Sequence, residues 1–206
     1  MKQLHLELAV AVHRLVLIGG GEFSFGETRA IDEYLIANMP RKSVAFLPTA
    51  SGSAEYAAHF GKYLKEIDPA IETVNVPIYR GRDVRREKSL AMIRSAGLAY
   101  LGGGVLRNLI DTMRETPVEA ALRDVPVVAA IGASASAFGV NGFGWIANVV
   151  VDAPFDDERL RRLMSLPEVQ VGIGIPAKTA LVIHADGSTE IVGDGSIAVF
   201  RKPPGR

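Results

Sequence analysis

The chain contains no cysteine, no long apolar run and no excess of charge of either sign. Without cysteine there are no disulfides, no thiolate nucleophile and no zinc site of the cysteine type. No apolar run approaches the ~20 residues that a membrane-spanning helix needs. The N-terminal segment also lacks the apolar core of a signal peptide. We therefore expect a cytoplasmic protein with no membrane partner.

The balance of charge limits the partners of the chain. Lysine plus arginine and aspartate plus glutamate each number 23, so the formal net charge is zero. Proteins that bind DNA or RNA as their main partner usually carry a basic surface, so we expect no nucleic-acid partner. Basic residues cluster between Arg80 and Lys88, and we interpret that cluster as the solvated start of a surface helix. The four histidines show no metal-ligand spacing, so we expect no metal and no cofactor.

The order of apolar and amphipathic segments predicts an α/β fold in a single domain over residues 1–206. Apolar runs of strand length alternate with segments of helical periodicity, which is typical of a doubly wound, mostly parallel sheet with helices on both faces. Short strands follow near the C-terminus, and we expect them to form a hairpin-rich edge of the same sheet. The predicted strands are residues 14–19, 42–47, 71–76, 98–101 and 127–131, followed by 169–173, 180–183 and 189–192.

A strand-to-helix junction carries the main chemical signal of the sequence. The apolar run 127–131 ends at Gly132, and Ser134 follows two residues later among small side chains. This pattern resembles a nucleophile elbow, a tight turn that holds a serine hydroxyl out of the backbone. We predict Ser134 as the nucleophile of an acyl transfer. The alternative is that Ser134 is only a small residue that lets the strand and helix pack closely.

Two further elements would complete such a site. The glycine-rich turn Gly102-Gly-Gly104 could present backbone N–H groups of Gly103 or Gly104 to an oxyanion, with the N–H of Ala135 as second donor. The alternative for these glycines is a turn with positive φ. A serine nucleophile also needs a base, and His184 is the candidate by default because no other histidine follows Ser134.

Several motifs, taken in order, resemble one known family. They are Ile18-Gly-Gly-Gly-Glu22, Phe46-Leu-Pro-Thr-Ala-Ser51, Tyr100-Leu-Gly-Gly-Gly104 and Gly132-Ala-Ser-Ala-Ser-Ala137. Together they resemble the dipeptidase E and cyanophycinase family of serine peptidases. This resemblance implies a class I glutamine amidotransferase-like fold, a serine nucleophile at Ser134, and hydrolysis of a small peptide or amide.

The sequence also departs from that family. The family elbow usually ends in Gly-Ala where this chain has Ser136-Ala137, and the family's Asp-x-His-Phe segment appears as Asp152-Ala-Pro154-Phe155. Proline cannot accept a proton, so the base would have to be replaced, for instance by His184 or Asp152. Two functions therefore remain open. One is a serine hydrolase, and the other is an inactive relative that binds a small molecule or a protein. The sequence leaves a homodimer open.

Overall fold

The computed structural model describes residues 4–203 as a layered α/β protein. The first five strands are short, apolar and largely buried, except β3 at the sheet edge, whose residues alternate between exposed and half-buried. The strands in chain order are β1 (Arg14–Ile18), β2 (Ser43–Leu47), β3 (Glu72–Asn75), β4 (Leu98–Leu101), β5 (Val127–Ile131), β6 (Val149–Asp152), β7 (Val171–Gly174), β8 (Thr179–His184), β9 (Thr189–Gly193) and β10 (Ala198–Arg201).

Six α-helices connect these strands. They are amphipathic, so each buries an apolar face in the core and leaves its charged face in solvent. They are α1 (Arg29–Asn38), α2 (Ala54–Ile67), α3 (Glu87–Ser95), α4 (Leu106–Met113), α5 (Pro117–Arg123) and α6 (Asp157–Leu163). No helix within residues 4–203 is both long and apolar enough to cross a bilayer.

The main sheet has seven strands in the order β3-β2-β4-β5-β1-β8-β9. Strands β1 to β5 are parallel, with Ile18 opposite Ile131 and Leu101 opposite Ala130 at neighbouring carboxyl ends. Strands β8 and β9 run antiparallel at one edge, with Ala180 opposite Ile18. The mostly parallel α/β sheet predicted from the sequence is confirmed. Because the carboxyl ends of β1, β2, β4 and β5 share one edge, their loops converge there.

Alternation along the strands divides the core into two layers. In β1, Val16 and Ile18 face the layer that contains α1 and α2, whereas Leu15 and Leu17 face the layer of α3, α4 and α5. Successive strand residues point to opposite faces, so a fully apolar strand serves both layers. This explains why β1, β2, β4 and β5 read as short apolar runs in the sequence.

The C-terminal region differs from its prediction in one respect. Strands β8 and β9 do extend the main sheet, but β7 lies in a separate three-stranded sheet in the order β10-β7-β6. The sequence analysis did not predict strands β6 and β10, which flank β7 in this second sheet. Helix α6 packs Leu160 against this second sheet, close to Val150.

The described residues before β1 form single β-bridges and no strand. His5 pairs with Ser188 and Leu8 with Ile146. Residues 1–3 and 204–206 lie outside the described residues.

A buried carboxyl group links α1 and α2. Asp32 is fully buried and accepts hydrogen bonds at Oδ2 from the Thr28 hydroxyl (2.7 Å) and the Tyr63 hydroxyl (2.9 Å). Its other oxygen, Oδ1, is buried without a hydrogen-bond partner. Desolvation raises the pKa of Asp32 to about 6 from its usual 3.8, and the two hydroxyl donors only partly oppose that rise. Burial here therefore favours the neutral acid.

The raised pKa makes stability depend on pH in a definite direction. Since the folded state binds the Asp32 proton more tightly than the unfolded state, the stabilisation is complete below about pH 4 and is lost as pH rises through about 6. Relative to Asp32→Asn, we expect the free energy of unfolding of the wild type to fall by about 2 kcal/mol between pH 4 and pH 7. Urea titrations over this range measure it.

The exposed neighbour Glu33 provides the control for this prediction. Its ion pair with Arg29 lies at the surface, with side chains about half exposed, so Glu33→Gln should leave the pH profile nearly unchanged. Parallel pH profiles for the wild type and Asp32→Asn would contradict the prediction.

Candidate active site

A cavity of about 380 Å³ lies at the carboxyl edge of the main sheet. Four loops line it, and each follows a parallel strand. The lining residues are Gly20 and Gly21 after β1, Ser51, Ser53 and Tyr56 after β2, Gly103 and Gly104 after β4, and Ile131, Gly132 and Ala133 at the end of β5. This is the edge at which open α/β sheets place their ligands, and the sequence-predicted glycine turns lie on it.

The chain turns sharply at Gly132, directly after β5. Gly132 has a φ of +59° and opens a short 3-10 helix over Gly132–Phe138, which we call the elbow segment. A left-handed φ is easily adopted only by glycine. A Cβ built at Gly132 would meet no atom within 4 Å. The position at the tip of the turn therefore faces open space, and it carries no side chain.

Ser134, the predicted nucleophile, lies two residues inside the elbow segment. It is fully buried, it does not line the cavity, and its hydroxyl donates a hydrogen bond to the carbonyl oxygen of Gly102 at 2.7 Å. The tight turn thus occurs two residues earlier than the Gly-x-Ser pattern placed it. Strand β5 ends at Ile131 as predicted, but the left-handed conformation is taken by Gly132 and not by Ser134, which therefore faces the core.

The predicted oxyanion donors differ in their exposure to the cavity. Gly103 and Gly104 line the cavity, whereas Ala135 is fully buried in the elbow segment and does not. Gly104 has a φ of +149°, and a Cβ there would lie 2.5 Å from the carbonyl carbon of Ala50. Only glycine fits this approach of the β4 loop to the β2 loop, which is held by a hydrogen bond from the Val105 N–H to the Ala50 carbonyl (3.0 Å).

His184 lies far from the cavity. In the antiparallel pairing of β1 with β8, His184 stands opposite Arg14, at the amino end of β1, while Ala180 stands opposite Ile18 at the cavity edge. Four strand residues of about 3.3 Å each separate these two ends. The imidazole Nε2 lies 3.1 Å from Glu190 Oε1. Strand β8 is antiparallel to β1 and therefore ends at the amino ends of the parallel strands. His184 lies there, whereas Ser134 follows the carboxyl end of β5, so the structure does not bring the two residues together.

The two other positions considered for the base follow β6. Asp152 is buried and held by Arg159, whose Nη2 donates to Oδ2 at 3.1 Å, and by the Asp156 N–H at 2.7 Å. Pro154 lies beside the cavity, since its Cγ would be 3.3 Å from a Cβ at Gly20. The carboxylate is thus engaged in a local ion pair, and the ring of proline stands near the cavity wall.

The cavity contains hydroxyl groups that the sequence did not single out as site residues. Ser51 accepts a hydrogen bond from the Ser53 N–H at 3.2 Å, and Tyr56 contributes its phenol ring. Burial raises the pKa of Tyr56 to about 12, with a smaller contribution from the charge of Glu22. The turn after β2 signalled a loop at this edge, but nothing in the periodicity of α2 marked Tyr56.

No residue that lines this cavity is charged. Within residues 4–203, no three side chains among histidine, aspartate and glutamate are grouped so that they could hold a metal ion. The described site is therefore a neutral cavity of backbone N–H groups and hydroxyls.

The absence of cysteine allows a direct test of which elbow position faces the cavity. We expect iodoacetamide to alkylate Gly132→Cys at least about tenfold faster than Ser134→Cys, because position 132 opens into the cavity and position 134 requires local opening. Mass spectrometry of the intact protein gives both rates. The left-handed backbone at position 132 should cost the first variant about 1 kcal/mol of stability.

The wild-type chain, which has no thiol, gives the background of this measurement. Faster alkylation at position 134 than at position 132 would contradict the described elbow.

The comparisons with known proteins agree with this architecture. The model of Peptidase family S51 matches residues 15–142, from β1 through the elbow segment, so the match ends before Asp152 and Pro154. The uncharacterized peptidase YgaJ of Bacillus subtilis (strain 168) is 28% identical over 131 residues. That match covers 59% of this chain and 54% of YgaJ, so it spans only about half of that relative.

A solved structure supports the fold over nearly the whole chain. The crystal structure of a peptidase from an acI-B1 Actinobacterium superposes with a TM-score of 0.74 at 24% identity, covering 94% of this chain and 93% of that one. The family match extends over more than half of the chain. It includes the four strands whose following loops line the cavity. The resemblance to dipeptidase E and cyanophycinase is thereby confirmed, and the chain belongs to Peptidase family S51.

Proposed function

We propose that this member of the peptidase family binds a small peptide-like or amide-like ligand in the cavity without cleaving it. The observation that carries the proposal is the identity of the residue at the tip of the elbow. Gly132 takes the strained left-handed turn and faces the cavity, but it has no nucleophilic atom. In a nucleophile elbow the serine itself occupies the tip of the turn, whereas here Gly132 occupies it and Ser134 lies behind it in the core.

The surroundings of Ser134 support the same proposal. Its hydroxyl is fully buried and donates to the Gly102 carbonyl, so its proton faces a backbone acceptor and no imidazole or carboxylate is its partner. A serine becomes a strong nucleophile only when a base takes its proton. Loss of a triad member typically lowers the rate by about 10⁴-fold or more.

The candidate bases give no replacement. His184 lies at the amino ends of the parallel strands, away from the cavity at their carboxyl ends, and Asp152 is paired with Arg159. Pro154 stands near Gly20 at the cavity wall, where the family resemblance would place a histidine. We infer that the chain has kept the family's fold, while Ser134 is held in the core and proline stands at the position where the resemblance implies the base.

The cavity itself is suited to binding. Its volume of about 380 Å³ lies within the ~300–1,000 Å³ typical of small-molecule sites. Glycines on three loops bring the backbone close to any occupant, and Tyr56 and Ile131 offer apolar surface. An uncharged peptide or amide fragment matches this mixture of N–H donors, hydroxyls and apolar atoms.

A fluorophosphonate probe tests the proposal against an active serine hydrolase. We expect no labelling of the folded wild type, because no described hydroxyl in or behind the cavity has a base beside it. The measurement is intact-protein mass spectrometry after incubation at pH 7 to 8, with trypsin as the reagent control. Circular dichroism confirms that the sample is folded.

Matched variants identify any serine that does react. Labelling of the wild type that disappears in Ser134→Ala would overturn the proposal and restore Ser134 as nucleophile. Labelling that disappears in Ser51→Ala or Ser53→Ala would overturn it in favour of a nucleophile on the β2 loop.

A further inference from the structure

The Ser134 hydroxyl joins the elbow segment to the glycine loop after β4. Its Oγ donates to the Gly102 carbonyl oxygen at 2.7 Å, and the bond is fully buried. A hydrogen bond shielded from water is stronger than an exposed one, and breaking it would leave a buried carbonyl without its donor. The bond therefore restrains the orientation of the peptide group that connects Gly102 to Gly103.

The same hydrogen bond also fixes the direction of the Gly103 N–H group. The Gly102 carbonyl and the Gly103 N–H belong to one planar trans peptide, so they point in opposite directions. Because the carbonyl points toward Ser134 in the core, the Gly103 N–H points away from it. Gly103 lines the cavity, and within residues 4–203 its N–H donates to no protein acceptor.

Other backbone donors face the same cavity. The N–H groups of Gly20, Gly21 and Gly104 likewise donate to no protein acceptor among the residues that the structure describes. Backbone N–H groups require a partner, which solvent or a ligand supplies. The lining carries no cationic side chain, and Glu22 acts on Tyr56 from nearby. This chemistry fits an oxygen acceptor such as a carbonyl or carboxylate, bound by N–H donors and not by a counter-charge.

The neighbouring Ser136 shows that this link is specific. Ser136 is also buried in the elbow segment, but its Oγ accepts a hydrogen bond from the Ala153 N–H at 3.1 Å. That bond ties the elbow segment to the loop after β6 and does not touch the glycine loop. The two serines thus resemble each other in burial and differ in what they hold.

We propose that Ser134 is a positioning residue for ligand binding, which acts by holding the Gly102–Gly103 peptide so that the Gly103 N–H donates to a carbonyl or carboxylate oxygen in the cavity. The proposal rests on the proposed binding function. It gives the serine that resembles a nucleophile a non-covalent role, and it names the class of ligand atom.

Nuclear magnetic resonance of glycine-labelled protein tests this role. Acetamide and acetate serve as the neutral and the anionic probe. In the wild type we expect at least one of them to shift the amide signals of Gly103 and of Gly20 or Gly21. Ser134→Ala should weaken the affinity about five- to tenfold, as expected for loss of one hydrogen bond, and should reduce the Gly103 response most.

The matched control and a probe-free signal separate positioning from general destabilisation. Ser136→Ala removes a buried hydroxyl of the same segment and should keep the Gly103 response and the affinity within about twofold. In Ser134→Ala, the carbonyl-carbon shift of Gly102 should also change without any probe, because its hydrogen bond is lost. A folded Ser134→Ala that binds like the wild type would overturn the proposal.

The wild type alone also decides the matter if Ser134→Ala does not fold. A response at Gly20 and Gly21 without one at Gly103 would overturn the orientation, and no response at any of these glycines would overturn the ligand class. A fluorophosphonate adduct on the wild-type protein would instead overturn the proposed function. The two failures are therefore distinguishable.

Discussion

The left-handed turn at Gly132 determines what the candidate site can contain. Strand β5 is fully buried between β4 and β1, so the chain must leave the centre of the sheet at its carboxyl end. The turn directs position 132 toward the cavity and position 134 toward the core. Once glycine occupies the tip, the wall of the cavity consists mainly of backbone and hydroxyl groups. The chemistry available there follows from that one conformation.

Sequence patterns predicted the sheet and the edge at which the site lies, because both depend on long-range regularities. Strand-like runs separated by amphipathic helices predict a parallel sheet, and glycine-rich turns after β1 and β4 indicate its ligand edge. The sequence pattern did not identify which residue occupies the tip of the elbow. The end of β5 was predicted correctly, but Gly132 and Ser134 both have small neighbours, and the pattern does not show which of them takes the left-handed turn.

Strand direction was a second quantity that the pattern left open. The sequence places His184 at the end of a strand, but it does not say which edge of the sheet that end occupies. The antiparallel pairing of β8 with β1 sends it to the edge opposite the cavity. The same limit applies to the second sheet, because the apolar pattern of β7 does not show that its partners are β6 and β10 and not the main sheet.

The open space at Gly132 has a consequence for the history and the engineering of this protein. Under the proposed function, two positions on separate loops lack a reacting group. The tip of the elbow is Gly132, with Ser134 behind it in the core, and the position after β6 is Pro154. A new side chain at either position alone would lack its partner. A single substitution would therefore give no catalytic activity on which selection could act. The protein would need both changes to become a hydrolase.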